Sequence, residues 1–245
     1  MPLEQSTAAE VVEPKKQIYG KIFTVEWLLN SLKKNDKIYQ QLHSDKIVKD
    51  VTFYDVSGGK GFLSAILRCT VHFANTNDVY STILKIPGLE AIKKASKTLE
   101  MNKKDSSEAK ESGNKKYEAI EDSHKFECDF YNNLAPLLDI PCPKVYQTLD
   151  FKVGEKEGVI HMEDLTLRGK TITYFENINL TQIKCVIQHL AHMHYRVLKC
   201  IDQNEWRGKY LKKQEAMETI TKNFDLMFKP LLKSSQREGN FKKII

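Results

Sequence analysis

The fold depends on one stretch, VSGGKGFLSAILRCTVHF, which runs from Val56 to Phe73. Three glycines and a lysine stand at its front, and the branched and aromatic residues behind them are typical of a β-strand. A Walker A phosphate loop requires the pattern GxxxxGKS/T with a helix directly after it. Here the lysine comes before the last glycine and a strand pattern follows. The stretch therefore predicts a glycine turn between two strands rather than a P-loop.

The flanking sequence extends this turn into a meander of three antiparallel strands. The first strand is expected from Val48 to Tyr54, the second from Phe62 to Phe73 and the third from Val79 to Gly88. The cluster NTND at Asn75–Asp78 is typical of a turn and separates the last two strands. The glycines then lie at one end of the meander.

Three segments have helical periodicity. Thr24–Asn35 begins with a capping residue and carries a leucine stripe. Tyr117–Leu138, in which Pro136 marks the expected end or a kink, and Asn179–Lys199 repeat apolar residues at helical spacing. Two further strands are expected in IPCPKVYQTLDFK and GVIHMEDL. The order helix, three strands, helix, two strands predicts an α+β protein with a five-stranded antiparallel sheet.

The composition argues against several classes of protein. The chain has 245 residues, with 38 Lys and Arg against 32 Asp and Glu and a net charge of +6. Its basic residues do not gather with aromatic residues, so we expect no nucleic-acid partner. The five cysteines form no CxxC pair and are expected to be reduced and buried. With no apolar leader and no long apolar run, we expect a cytoplasmic protein that does not bind membranes.

A glycine turn between strands has a chemical use when a lysine lies on the next strand. The turn brings bare backbone N–H groups over a triphosphate, and the lysine pairs with the phosphates. Lys85 on the third strand has this position, and it needs an acidic partner on the following helix. Glu127 fits that role, with Glu121, Asp122 and Asp129 as rivals on the same helix. Each residue alone is ordinary, and only their order in the chain favours this interpretation.

The last strand of the predicted sheet ends in VIHMEDL. In an ATP-binding cleft such a strand leads into a hinge whose backbone N–H and C=O groups read the edge of the adenine. Met162 would stand behind the base, and Glu163, Asp164 and Leu165 would supply the hinge backbone. The alternative is a plain strand end.

Together these motifs resemble a known family. They are SGGKGFLSAILRCTVHF, STILKIP, HKFECDFYNNL, VIHMEDL with a nearby RGK, and LTQIKCVIQHLAHMHY. The series is similar to that of the nematode CHK kinase-like proteins, a choline and ecdysteroid kinase-like group related to aminoglycoside phosphotransferases. The resemblance covers roughly Thr24 to Lys229. It implies a protein kinase-like fold of two lobes, and phosphorylation of hydroxyl groups on small molecules with ATP and Mg²⁺.

The resemblance also implies a nucleotide site with an ion pair between Lys85 and Glu127. The residues expected to bind the nucleotide are Gly58, Gly59, Lys60, Gly61, Lys85, Glu127, Met162, Glu163, Asp164 and Leu165. The implied domains are a flexible N-terminus at 1–23, a kinase-like small lobe at 24–165, and a hinge exit with a partial helical large lobe at 166–245. A lysine- and serine-rich insert at about 91–116 is expected to be disordered.

The chain departs from the family in its catalytic half. The family's H-x-D-x-x-x-x-N loop follows the long large-lobe helix, and nothing after Asp164 matches it. The single His-x-Asp, His43–Asp45, precedes the glycines. Phosphoryl transfer depends on positioned metal ions and an oriented nucleophile. We therefore expect no catalytic and no metal-binding residue, and a nucleotide-binding chain that is a fragment or catalytically impaired, with Mg²⁺ needed only for activity.

Two other functions stay open at this point. The first is a non-catalytic interaction protein, in which an incompletely covered apolar face of Asn179–Lys199 mediates self-association or binds a protein partner. The second is an active small-molecule kinase that uses an unrecognised carboxylate, with Asp164 as the first candidate. A metal site at His189, His192 and His194 is disfavoured because no two of them have the i, i+4 spacing.

Overall fold

The computed structural model describes residues 12–19, 23–57, 64–88, 108–170, 172, 176–200 and 202 of the chain. The predicted glycine turn, Gly58 to Gly61, and residues 91–107 of the lysine-rich segment lie outside the described residues. The chain divides into two compact units, Met1–His189 and Leu190–Ile245. The predicted boundary at residue 165 stays a prediction.

The described residues form both helices and strands. The strands are β1 (Gln17–Tyr19), β2 (Phe23–Thr24), β3 (Val48–Asp55), β4 (Ser64–Phe73), β5 (Val79–Pro87), β6 (Val145–Leu149) and β7 (Val159–Glu163). The α-helices are α1 (Val25–Asn35), α2 (Lys37–His43), α3 (Glu108–Asp129), α4 (Ala135–Leu138) and α5 (Leu180–Tyr195). One-turn π-helices follow α3 at Phe130–Leu134 and α5 at Arg196–Cys200.

Five strands form one sheet in the first unit, in the order β3-β4-β5-β7-β6, and all neighbours run antiparallel. This confirms the predicted α+β class with a five-stranded antiparallel sheet. A row of directly opposed residues crosses the whole sheet, and opposed residues share a face. The row consists of Tyr54, Arg68, Ile83, Met162 and Val145.

One face of the sheet packs against the N-terminal helices. Strand β4 alternates between buried and half-buried residues, as expected for a strand whose two faces differ in environment. Its buried side chains join those of β5 and α1 in one core cluster. The members of that cluster are Val12, Ile18, Phe23, Val25, Leu28, Leu32, Tyr39, Val51, Leu67, Cys69, Val71, Phe73, Leu84, Ile86 and Val159.

The opposite face packs against the C-terminal part of α3. Cys128 from the helix is buried with Ile160 and Met162 from β7, and Tyr131 and Ile83 pack against them. Successive residues of a strand point to opposite faces, so residues two positions apart share a face. Lys85 therefore emerges on the same side as Ile83. Lys85 and Met162, two of the predicted nucleotide residues, therefore lie on the face that α3 covers.

The start of α3 corrects one prediction. The helix begins at Glu108, inside the segment at about 91–116 that we expected to be disordered, rather than at Tyr117. Residues 108–111, EAKE, are strong helix formers and need no apolar stripe to extend a helix that is packed further along. Apolar periodicity, on which the prediction depended, cannot detect such an extension.

The N-terminal segment also differs from the prediction of a flexible tail up to residue 23. Gln17–Tyr19 forms β1 and pairs with β2, and Ile18 is buried in the core. Lys16 donates to Asp50 Oδ1 at 2.6 Å and to the carbonyl of Val51 at 2.9 Å. Short strands of two and three residues leave too little alternation in the sequence to be recognised.

Helix α5 exposes several apolar side chains. Ile183, Val186, Ile187 and Leu190 follow helical spacing and are between 44% and 58% exposed. Cys185 is exposed as well, which corrects the expectation that all cysteines are buried. Among the described helices, none combines the length and the apolar character of a membrane-spanning segment.

Candidate nucleotide site

An ion pair joins the centre of the sheet to α3. Lys85 Nζ on β5 donates to both carboxylate oxygens of Glu127, at 2.5 Å from Oε1 and 2.7 Å from Oε2. Each side chain is 29% exposed, so both reach solvent at the edge of a cleft. The predicted contact between these two residues is therefore present, and Glu127 rather than one of its rivals makes it.

The neighbours of Glu127 on α3 tie the helix to the far edge of the sheet. His124 donates through Nε2 to the carbonyl of Leu149 at 2.8 Å. Glu121 Oε1 accepts from the backbone N–H of Val153 at 2.7 Å. With Glu127 on Lys85, three residues at i, i+3 spacing on the helix each make a polar contact to the sheet or its loops. The part of α3 that directly precedes Glu127 is thus fixed to the sheet and its loops.

A small cavity adjoins the Lys85–Glu127 pair. Its volume is about 110 Å³, and it is lined by Ser64, Lys85, Pro87, Ile120, Ser123, His124 and Glu127. The hydroxyl groups and the ammonium group can donate hydrogen bonds, which suits an anionic oxygen. Ser64 is the first residue of β4, so the cavity lies at the end of the sheet where β4 begins.

The predicted hinge residues lie at the end of β7 and directly after it. Met162 is 8% exposed, stands opposite Ile83 and accepts through its carbonyl from Thr82 Oγ1 at 2.8 Å. The Glu163 carboxylate is occupied by the backbone N–H of Lys144 at 2.8 Å and by Arg168 at 2.6 Å. Asp164 and Leu165 come directly after β7 and begin a turn.

Asp164 makes a second ion pair on this face, which the sequence did not predict. Arg68 Nε on β4 lies 2.8 Å from Asp164 Oδ2, and the two side chains are 21% and 10% exposed. Thr166 donates to Asp164 Oδ1 through its backbone N–H at 2.9 Å and its hydroxyl at 2.5 Å. Burial raises the pKa of the Asp164 carboxyl, but the Thr166 hydrogen bonds and the Arg68 charge outweigh it, so the pKa is below its usual value.

The sequence contained one usable signal for Arg68. It lies on β4 two residues after Ile66, which is directly opposite Lys85. Strand alternation therefore places Arg68 on the face of Lys85 and not in the core. A charged residue there can be noticed only once the strand register is known. His161 is buried and forms hydrogen bonds with Ser31 and Thr82. The sequence contains no signal for these contacts, because the partners come from distant segments of the chain.

Metal binding finds no support in the described residues, where no group of three or more His, Cys, Asp or Glu side chains could hold an ion. The predicted glycine contacts, Gly58, Gly59, Lys60 and Gly61, lie outside the described residues and stay predictions. The nucleotide roles of Lys85, Glu127 and the hinge also stay predictions. What the structure brings together is the lysine, the glutamate and the strand that leads to Met162.

The class defined by these features is an α+β protein with a lysine–glutamate pair between an antiparallel sheet and a helix. Comparison with known proteins assigns it to a family: a family model described as "Uncharacterized oxidoreductase dhs-27" matches residues 33–245, and the chain belongs to this DUF1679 family. A Caenorhabditis elegans protein named "Uncharacterized oxidoreductase dhs-27" is 26% identical over 223 residues. The aligned part is 90% of this chain and 25% of that relative, so the chain spans about a quarter of its length. No solved structure matches the chain.

Proposed function

We propose that this chain contains a kinase-like small lobe of the CHK type that binds ATP on the α3-covered face of the sheet. The observation that carries the proposal is the double hydrogen bond between Lys85 and Glu127. In kinases a strand lysine held by a helix glutamate contacts the nucleotide phosphates. Here the glutamate orients the ammonium group, and the adjoining cavity of about 110 Å³ offers hydroxyl donors beside it.

The base of the nucleotide would lie further along the same face, toward the end of β7. Ile83 and Met162 oppose one another there, and both belong to the apolar cluster with Cys128. An apolar surface next to a strand exit suits a planar base, because the base buries its faces and presents its edge to backbone groups. Asp164 and Leu165 would supply that backbone.

The proposal extends to binding and not to catalysis by the described residues. The carboxylate of Asp164, the first candidate for a catalytic base, is engaged by Arg68 and Thr166. Phosphoryl transfer also requires metal ligands. Phosphorylation of a small-molecule hydroxyl group therefore stays the less favoured possibility.

The name of the C. elegans relative suggests another activity, which the described fold does not favour. Dinucleotide-binding oxidoreductase folds use parallel strands, with the pyrophosphate at a helix N-terminus after the first strand. All strand pairs in the described sheet are antiparallel. Because the chain spans a quarter of that relative, the name need not refer to the shared part.

The experiment that tests nucleotide binding is calorimetric titration of the 245-residue chain with ATP and MgCl₂. In Lys85→Met the affinity should fall by about 10- to 100-fold, the usual value of a charge-assisted hydrogen bond. Lys46→Met is the matched control, since it also removes a lysine ion pair, with Asp78 at 2.7 Å, next to the opposite end of β5. Absence of binding by the unmodified chain, or equal losses in both variants, would refute the proposal.

A second candidate function is self-association through the apolar stripe of α5. Its support is the exposure of Ile183, Val186, Ile187 and Leu190, which lie along one side of the helix. Contiguous exposed apolar surface of this kind is typical of interaction sites. Sedimentation velocity over a range of concentrations tests it, with Ile187→Lys expected to abolish any dimer. A monomer at all concentrations would contradict this candidate.

A further inference from the structure

The strongest unassigned feature is Arg68, which crosses the sheet on the face proposed for the nucleotide. It emerges from β4 directly opposite Ile83 on β5, and its partner Asp164 follows β7 on the far side of β5. Two strand spacings separate β4 from β7, about 10 Å. The side chain must therefore extend over β5 beside Ile83 to reach the carboxylate, where the base is expected.

Each of the three nitrogen atoms of the guanidinium group lies close to a partner, at Nε as an ion pair without a hydrogen bond. Nε lies 2.8 Å from Asp164 Oδ2, Nη1 donates to the Tyr54 hydroxyl at 2.6 Å, and Nη2 contacts the Thr166 hydroxyl. Tyr54 is the direct cross-strand neighbour of Arg68 on the outer strand β3. Partners on two separate segments, β3 and the residues after β7, thus fix the group from opposite directions.

This arrangement determines which surface Arg68 presents to a planar ligand. A guanidinium group donates hydrogen bonds only in its plane, and the contacts with Asp164, Tyr54 and Thr166 fix the orientation of that plane. The Tyr54 ring lies beside the group, with its centroid 5.6 Å from Cζ. A planar ligand can cover the flat face of the group. Because the group is planar, delocalised and weakly hydrated, that face stacks on aromatic rings. A side chain with its rotamers already fixed also loses little conformational entropy when it stacks.

We propose that the flat face of the Arg68 guanidinium group stacks on the base of the bound nucleotide, which makes Arg68 a specificity-determining residue. This inference rests on the proposed nucleotide site. It assigns the planar aromatic base to Arg68, Ile83 and Met162, and the phosphates to Lys85. The site then prefers nucleotides over other polyphosphates through contacts that Lys85 does not make.

The test distinguishes the contribution of the base to binding from that of the phosphates. The full chain is titrated with ATP and, separately, with inorganic tripolyphosphate, which carries the phosphates alone. Arg68→Met should weaken ATP binding by about 5- to 100-fold, the range of base stacking on a side chain, and leave tripolyphosphate binding unchanged. Lys85→Met should weaken both. Arg68→Lys should behave as Arg68→Met does, because a lysine keeps the charge but lacks the plane.

Two further variants protect the test against simple misfolding. Arg168→Met is the matched control, since Arg168 also pairs with a residue at the end of β7, Glu163, but its side chain is 66% exposed. Tyr54→Phe removes only the hydroxyl that holds Nη1, and it should give a smaller loss that is again confined to ATP. Equal losses for ATP and tripolyphosphate, or full ATP affinity in Arg68→Lys, would overturn the inference and leave the proposed function standing. Failure of the unmodified chain to bind either ligand would overturn both.

Discussion

At the scale of single residues, the pairing of Lys85 with Glu127 could be predicted, whereas that of Arg68 with Asp164 could not. The first depends on chain order, a strand followed by a helix, which the sequence contains. The second joins positions 96 residues apart, and it depends on the strand order and on the face from which each side chain emerges. Those two facts follow from the packing of the whole sheet.

Gly158 gives the first prediction at this scale. A Cβ atom there would lie 2.5 Å from Phe151 Cβ and 2.9 Å from its Cα, and also 2.7 Å from His124 Nε2. Because backbone cannot give way cheaply, Gly158→Ala should lower the free energy of unfolding by about 1–3 kcal/mol. Chemical denaturation measures the loss. Gly154→Ala is not a matched control, since its φ of +77° disfavours any side chain.

His161 gives the second prediction, a dependence of stability on pH. The ring is buried between Ser31 Oγ, 2.7 Å from Nδ1, and Thr82 Oγ1, 2.8 Å from Nε2. Burial lowers its pKa to about 3. The unfolded chain binds a proton near pH 6.5 and the folded chain does not, so the contribution of His161 is complete above pH 6.5 and declines as the pH falls toward 3.

The expected decline is about 1.4 kcal/mol per pH unit over that window. Urea denaturation from pH 7 to pH 4.5 measures it, and His161→Gln should reduce the slope. A proton NMR titration of the His161 ring provides an independent check. Titration of that ring near pH 6.5 in the folded protein would contradict the prediction.

At the scale of elements, the sequence predicted the long strands and helices and missed the short ones. The strands of the five-stranded sheet carry enough alternation to be recognised, and α1 carries a cap and a stripe. Helix α2 has seven residues, too few for a repeating pattern, and it begins where Asp36 accepts from the backbone N–H of Ile38 at 3.0 Å. The π-helical turn at Phe130–Leu134 precedes Pro136, near which we expected a kink.

The cap of α1 gives a prediction at this scale. Thr24 Oγ1 accepts from the backbone N–H of Trp27 at 3.2 Å, as the sequence predicted. Thr24→Ala leaves that donor without its side-chain acceptor and should lower the free energy of unfolding by about 1 kcal/mol. Thr24→Ser keeps the oxygen and should differ little from the unmodified chain. Equal stability of all three proteins in urea would show that the cap contributes nothing.

At the scale of the whole molecule, binding at the proposed site should raise the thermal stability of the chain. A ligand that binds only the folded state at 100 times its Kd adds about 2.7 kcal/mol. For a protein of this size that corresponds to roughly 5–11 °C in Tm. Differential scanning fluorimetry with increasing ATP and MgCl₂ measures the shift, and Lys46→Met should retain it. A Tm that does not change with ATP concentration would argue against nucleotide binding.

The three contacts that hold α3, made by Glu121, His124 and Glu127, have a consequence for control. In the proposed function, α3 takes the place of the kinase helix whose repositioning makes or breaks the pair with the strand lysine. The three contacts fasten the segment from Glu121 to Glu127 to the sheet and its loops. For the proposed nucleotide site we therefore expect regulation to act on access to the cleft, with the Lys85–Glu127 pair unchanged.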